Sequence, residues 1–143
     1  MHNYEIAIEW SGEKGIVSSA GIAGNIEMVS DNSFREKKWA PEHLYIAALA
    51  GSFTAAFITI AKNTRLKFIH FECGAYSSTE ESDIRAPEFI DIILKPRVFI
   101  PSSQQVRETL KILDMRFKEC NLCKLVTAKV HVASSVIVKD IEP

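Results

Sequence analysis

From Leu44 to Ala61 the chain carries no charged side chain, and a helix that is apolar all round is stable only where a membrane or a protein core covers every side. The stretch approaches the length of about 20 residues that spans a bilayer. It is diluted by Ala, Gly, Ser and Thr, stands alone, and is followed by segments of alternating polarity, which favours a buried helix in a soluble protein with no membrane partner. Its start is well marked. Pro41 lacks only an N–H that a first helical position leaves unpaired, and Glu42 meets the positive end of the helix dipole. Lys62, Asn63 and Arg65 supply a basic end, so the helix is expected to run from Pro41 to Lys62 or Asn63.

The flanks read as strands and one further helix. Tyr4, Ile6, Ile8 and Trp10 alternate with polar or small residues, the pattern of a half-buried strand. A turn at 11–15 and short strands over Ile16–Ala20 and Ile22–Val29, broken near Gly21, make the N-terminal third an antiparallel meander. Asp31 to Lys38 is a polar connection. After the long helix, Leu66–Ser77 and Phe89–Ile100 read as two strands separated by an acidic turn at Thr79–Asp83, and Pro96 is expected to mark a bulge or an edge. Ser102 and Ser103 offer caps to an amphipathic helix from Gln104 to about Lys118, with Val106, Leu110, Leu113 and Phe117 at helical spacing. Leu125–Val138 closes the chain as a β-rich segment. The fold class is α+β, in a single domain over residues 1–143.

Composition narrows the partners. A net charge of -1 over 143 residues gives electrostatics no reason to favour nucleic acid or an anionic membrane. The chain opens directly into a strand pattern rather than a basic and then apolar leader, and it has three cysteines; a reduced, cytoplasmic setting is the expectation. Cys120-Asn-Leu-Cys123 has the Cys-x-x-Cys spacing of redox and zinc sites. It follows a helix, whereas the thioredoxin motif opens one. Zinc would need two more ligands, and Cys73 and the four histidines show no paired spacing, so no metal and no cofactor are expected. Cys73, on a strand, reads as a small buried hydrophobe.

The segment Pro41-Glu42-His43 through Ser52 resembles the central helix of the OsmC/Ohr family, the osmotically inducible protein C and organic hydroperoxide resistance proteins. There a Pro-Glu pair opens the helix and the reactive cysteine follows ten residues after the glutamate. The order of elements is similar over nearly the whole chain. The resemblance implies an OsmC-like α+β fold: antiparallel sheets, a long buried central helix, a second amphipathic helix, and two chains interlocked as a homodimer. It also implies four site roles. A peroxidatic thiolate is held by the helix-opening glutamate and by an arginine from the N-terminal hairpin, and a second cysteine after the amphipathic helix resolves the sulfenic acid as a disulfide. This chain keeps Glu42 and has Cys123 or Cys120 for the second cysteine, Cys123 being the closer match by its neighbours. Ser52 stands in place of the reactive cysteine. Lys14, in Gly12-Glu13-Lys14-Gly15, retains the hairpin charge without the two-pronged guanidinium that locks a carboxylate.

A dimer also follows from covering the helix, because one small sheet and one amphipathic helix cover an apolar cylinder only in part. Ala47, Ala48, Ala50 and Gly51 form a small-residue zone where two backbones could approach. Along one helix, Glu42 and Ser52 are separated by about 15 Å of rise, so they are expected to meet only between two antiparallel copies.

A serine is essentially never ionised near neutral pH without a base, whereas a cysteine can be tuned to a thiolate. The nearest candidate base by sequence, His43, lies nine positions away on the same helix and reads as an exposed first-turn side chain. The plainer expectation for Ser52 is a hydroxyl bonded back to a helix carbonyl, and for Glu42 either a site residue or a helix-dipole residue. The expected function is that of a peroxide-detoxification family member whose thiol peroxidase activity is lost or strongly reduced at Ser52. Two rivals are residual peroxide reduction through Cys123, alone or with Cys120, and a non-catalytic module that binds a small hydrophobic or hydroperoxide ligand at the dimer interface.

Overall fold

The computed structural model describes residues 2–10, 15–28, 39–80, 88–125 and 129–139. The chain divides into two compact units, Met1–Tyr45 and Ile46–Pro143, and each is taken in turn.

In the first unit β1 (Ala7–Trp10), β2 (Gly15–Ser18) and β3 (Ile26–Met28) pair in sequence order as an antiparallel sheet. This is the expected meander. Its break falls where anticipated, with Gly21 and Gly24 at φ 81° and 87°, backbone that glycine adopts without a steric penalty. The turn residues Ser11 to Lys14 and the connection Asp31 to Lys38 lie outside the described residues. The half-burial expected of the first strand is not found in the single chain: its apolar residues are all more than half exposed, from 53% for Trp10 to 90% for Tyr4.

Helix α1 (Pro41–Asn63) matches its expected bounds. His43 has a local task at its start. The Ala40 backbone N–H donates to His43 Nδ1 at 2.9 Å while the His43 N–H donates to the Ala40 carbonyl, a reciprocal pairing like that of a capping box with an imidazole in the glutamate's place. The ring also stands edge-on to Trp39. The helix ends as a Schellman motif: the Leu66 N–H donates to the Ala61 carbonyl at 2.9 Å and the Arg65 N–H to the Lys62 carbonyl at 3.3 Å. The left-handed residue that this motif requires is Arg65, at φ 56°, where glycine is usual. Leu66 and Ala61, which the motif brings together, are both buried.

In the second unit β4 (His70–Glu80) and β5 (Glu88–Ile100) form a long antiparallel hairpin with a register shift between Ser77 and Thr79. The strand continues to Glu80, past the expected start of the acidic turn, and the rest of that turn lies outside the described residues. A single 3-10 turn at Ser103–Gln105, capped by Ser102, leads into α2 (Val106–Glu119), then α3 (Asn121–Leu125), β6 (Lys129–Val132) and β7 (Ser135–Val138). Both last strands run parallel to β5, so this sheet is mixed and α2 supplies the crossover that a parallel pairing needs. Pro96 is neither at an edge nor in a bulge: β5 is the central strand. It tolerates a proline because β6 pairs with 91–94 and β7 with 97–100, which leaves Pro96 in the gap between the two short partners, where no ladder bond from its nitrogen is needed.

The core of this unit lies between α1 and the sheet. Leu49, Phe53, Phe57 and Ala61 repeat every four residues down one stripe of α1 and are buried. Opposite them are Ile92, Leu94, Val98 and Ile100, the alternate residues of β5. Phe57 stacks on Phe71 with ring centroids 4.5 Å apart and meets Phe68 edge-on. On β4 the inward face holds Phe71, Cys73 and Ala75. Among the described side chains of α2 the buried ones are Thr109, Ile112 and Leu113, while Leu110 is 44% exposed, so the stripe is turned from the one expected; the Phe117 side chain lies outside those described. Thr109 satisfies its hydroxyl by donating to the Gln105 carbonyl at 2.7 Å. On the outer face of the hairpin Arg97 donates to Glu72 at 3.5 Å, an exposed pair worth about 0–1 kcal/mol.

The rest of α1 is less well covered. Ala47, Ala48, Gly51, Ala55 and Thr59 are exposed in the single chain, and of its most apolar 18-residue window only 28% is buried. Among the described residues α1 is the one helix long and apolar enough to cross a membrane.

The αL cap generates a stability prediction. Replacing Arg65 by Gly removes the steric cost of a left-handed residue and is expected to stabilise the fold by about 0.5–1 kcal/mol, read as a higher Tm in thermal denaturation. Arg65→Ala, which keeps the Cβ, should leave Tm unchanged; equal Tm for all three proteins would show that the cap carries no strain.

Candidate functional site

Three of the sequence-expected site residues meet in the second unit. Ser52 lies on α1 one position before the buried Phe53 and is itself half-buried. Its Oγ is 3.7 Å from Sγ of Cys120, which sits between the end of α2 and the start of α3. Cys120 is in turn joined to Cys123 as a disulfide. Both residues belong to the core cluster, with Cys120 1% and Cys123 9% exposed. Of the two cysteines, therefore, it is Cys120 that stands within hydrogen-bond range of Ser52, although the neighbours of Cys123 make it the closer match from sequence.

The local reason is helical geometry. α2 ends at Glu119 and α3 begins at Asn121, so the backbone turns at Cys120 and carries that side chain inward. The Lys124 N–H donates to the Cys120 carbonyl at 3.3 Å, closing the first turn of α3 and bringing Cys123 back over Cys120. The Cys-x-x-Cys pair follows one helix and also opens another, which the sequence pattern did not reveal because α3 is only five residues long. The two further ligands of a zinc site do not gather around it: among the described residues no three His, Cys, Asp or Glu side chains converge.

The hydroxyls on α1 divide into two kinds. Thr54 and Thr59, like Thr64 just past the helix end, donate to the carbonyls of Ala50, Ala55 and Ile60, four residues back, at 2.7–2.9 Å. This is the bond expected of Ser52. Ser52 instead has the cysteine sulfur as its partner. In the disulfide that sulfur carries no proton, so the hydroxyl is the only donor across the contact. His43 is occupied with the helix cap and does not serve as the serine's base. Glu42 stands half-buried in the first turn of α1, within the first unit. Lys14 lies outside the described residues.

Cys73 remains a free thiol, half-buried on β4 across from Pro96. Burial pushes its titration up from the ordinary 9.0, against smaller opposing effects of hydrogen bonds to the Thr54 side chain and the Lys95 backbone. The neutral thiol is the form the fold favours. Its contribution to stability is intact below pH 9.0 and is lost as pH rises from there through the higher folded value. In the oxidised protein Cys73 is the sole thiol, so alkylation by iodoacetamide reads it alone. Labelling is expected to accelerate only above pH 9.0, and unfolding in urea should bring the midpoint down to that value; a native midpoint at or below 9.0 would contradict the burial argument.

Comparison with known proteins adds the fold's relatives. A family model described as OsmC-like protein matches residues 34–135. An OsmC-like protein of Vibrio cholerae superposes with a TM-score of 0.78 at 15% identity, over 94% of this chain and 99% of that one. An organic hydroperoxide resistance protein OsmC of Legionella pneumophila gives 0.71 at 15% identity, over 96% and 98%. The organic hydroperoxide resistance protein of Bacillus subtilis gives 0.64 at 16%, also over 96% and 98%. The sequence matches none of the curated proteins compared with it. At such identities the structural likeness speaks for the fold, and the family match, which spans well over half of the residues, speaks for descent: this chain belongs to the OsmC-like protein family.

Proposed function

We propose that this chain is a cytoplasmic homodimer of the organic hydroperoxide detoxification family, with one OsmC-like domain per subunit, whose thiol peroxidase step is lost or strongly reduced at Ser52. The observation that supports this reading is the 3.7 Å approach of Ser52 Oγ to Cys120 Sγ. Residue 52 faces a cysteine that follows the amphipathic helix, which is the pairing a peroxidatic and a resolving position require. Cys120 rather than Cys123 then takes the second-cysteine place. A hydroxyl in the first place neither ionises near neutral pH nor forms a sulfenic acid. What is left is an apolar pocket at the subunit boundary, suited to a small hydrophobic or hydroperoxide ligand. Glu42 and Lys14 keep the roles that family resemblance implies for them.

The dimer rests on the uncovered face of α1. Exposed apolar surface costs about 25 cal/mol per Å², and here it runs along the small-residue side at Ala47, Ala48 and Gly51. A Cβ added at Gly51 would meet nothing within 4 Å in the single chain. A second copy of the same helix fits such a face closely, and family membership favours this cover over a bilayer.

Two measurements test the reading. By light scattering in detergent-free buffer, the native protein is expected at twice the chain mass and Ala48→Glu, which buries a charge only in the dimer, at the chain mass. A monomeric native protein, or one that needs detergent, sinks the dimer. For the chemistry, Ser52→Cys is expected to reduce an alkyl hydroperoxide with a dithiol at least about tenfold faster than the native chain, since a thiolate replaces an un-ionised hydroxyl. No gain would show that the pocket has lost its geometry as well as its sulfur. Native turnover that disappears in Cys123→Ser would overturn the loss of activity in favour of chemistry at the cysteine pair.

A further inference from the structure

We propose that Cys120 and Cys123 are a reversible dithiol–disulfide couple, with Ser52 as the residue that positions Cys120 and stabilises it as a thiolate. The inference stands apart from the peroxidase reading, because it uses no atom at position 52 other than the hydroxyl present. It rests on three observations: the disulfide within one turn of chain, the 3.7 Å contact of Ser52 Oγ with only one of the two sulfurs, and the unequal burial of the two cysteine residues.

The inequality sets a direction of attack. Cys123 is 9% exposed and Cys120 1%, and the neighbours of Cys123 on α3, Leu122 and Leu125, are 40% and 77% exposed, so an incoming thiol approaches Cys123. Its thiolate attacks Cys123 Sγ. A new S–S bond forms between the incoming sulfur and Cys123, the Cys120–Cys123 bond breaks, and its electron pair departs on Cys120. The thiolate so formed lies beside Ser52, whose O–H donates to it. Hydrogen bonds to a charged acceptor are roughly twice as strong as those between neutral groups, so this contact strengthens as the negative charge develops. A more stable leaving thiolate departs faster. A second thiolate then attacks the incoming thiol's sulfur in the mixed disulfide and frees Cys123; protons from solvent complete the two protein thiols. The balance is two small thiols oxidised to one disulfide and one protein disulfide reduced to two thiols. Run backwards, the same steps oxidise the protein with a small disulfide as the electron acceptor.

The test uses the full-length oxidised protein and reduced glutathione, with adducts mapped by mass spectrometry and free thiols counted over time. The expected adduct is on Cys123. Ser52→Ala is expected to slow reduction about tenfold, the effect of losing a hydrogen bond to a charged sulfur, and Ser52→Thr, which restores a hydroxyl, to recover most of the rate. A purely structural role for Ser52 would not move the titration of Cys120. In Cys123→Ala, alkylation of Cys120 is therefore expected to shift to higher pH when Ser52 is also replaced by Ala. Should that variant not fold, the pH dependence with which Cys120 expels glutathione from the mixed disulfide gives the same midpoint with both cysteines in place. Glutathione on Cys120, an unchanged rate in Ser52→Ala, or a pair that stays oxidised in excess dithiothreitol would each overturn the proposal. Failure of Ser52→Cys to gain peroxide reduction would leave it standing.

Discussion

Burial of one stripe of α1 against β5 is the constraint on which the second unit depends. Leu49, Phe53, Phe57 and Ala61 recur at the spacing of a helical face, and the facing Ile92, Leu94, Val98 and Ile100 recur at the spacing of a strand. Removing a phenylalanine from such a row typically costs about 3–5 kcal/mol, a large share of the stability of any single domain. That contact also fixes the site, since Ser52 is carried on the turn of α1 that buries Phe53.

The same helix shows what one chain leaves undone. A stripe occupies one side of a cylinder, and the opposite side of α1 presents Ala47, Ala48, Gly51 and Ala55 to solvent. Threonines on the helix limit the polar cost by bonding back to its own carbonyls. They do nothing for the apolar surface. The exposed row Tyr4, Ile6, Ile8 and Trp10 on the N-terminal hairpin carries the same signature of unmet burial.

Much of the fold was legible before any coordinates. Pro41 and Glu42 marked the start of α1 because the first helical position leaves its N–H unpaired, so a proline loses nothing there, and the helix N-terminus favours negative charge, and the end was placed correctly from its basic residues. The meander, the long hairpin and the Ser102 cap followed from alternation and turn chemistry. The misjudged elements share one cause: each depends on what a segment packs against. Pro96 reads as an edge residue until two short parallel strands are seen to flank it. Leu110 has the right spacing for the buried stripe of α2, yet the helix is rotated so that Ile112 and Thr109 turn inward instead. The first strand alternates correctly and is still exposed on both faces in the single chain.

At the site, the residue types were readable and their partners were not. A serine at position 52 excludes a sulfenic acid by composition alone, and a Cys-x-x-Cys spacing permits a disulfide by chain length alone. Which sulfur faces the hydroxyl depends on the turn between Glu119 and Asn121, a tertiary matter because a five-residue helix leaves no periodic trace in sequence. His43 could be excluded as a base only once its ring nitrogen was found accepting the Ala40 N–H. The amino-acid sequence by itself determined the elements, their order and the chemistry absent from position 52, since these follow from local propensity and the identity of single atoms. Only the tertiary structure decided that Ser52 meets Cys120, because residues 68 positions apart are brought together by packing, which no local pattern encodes.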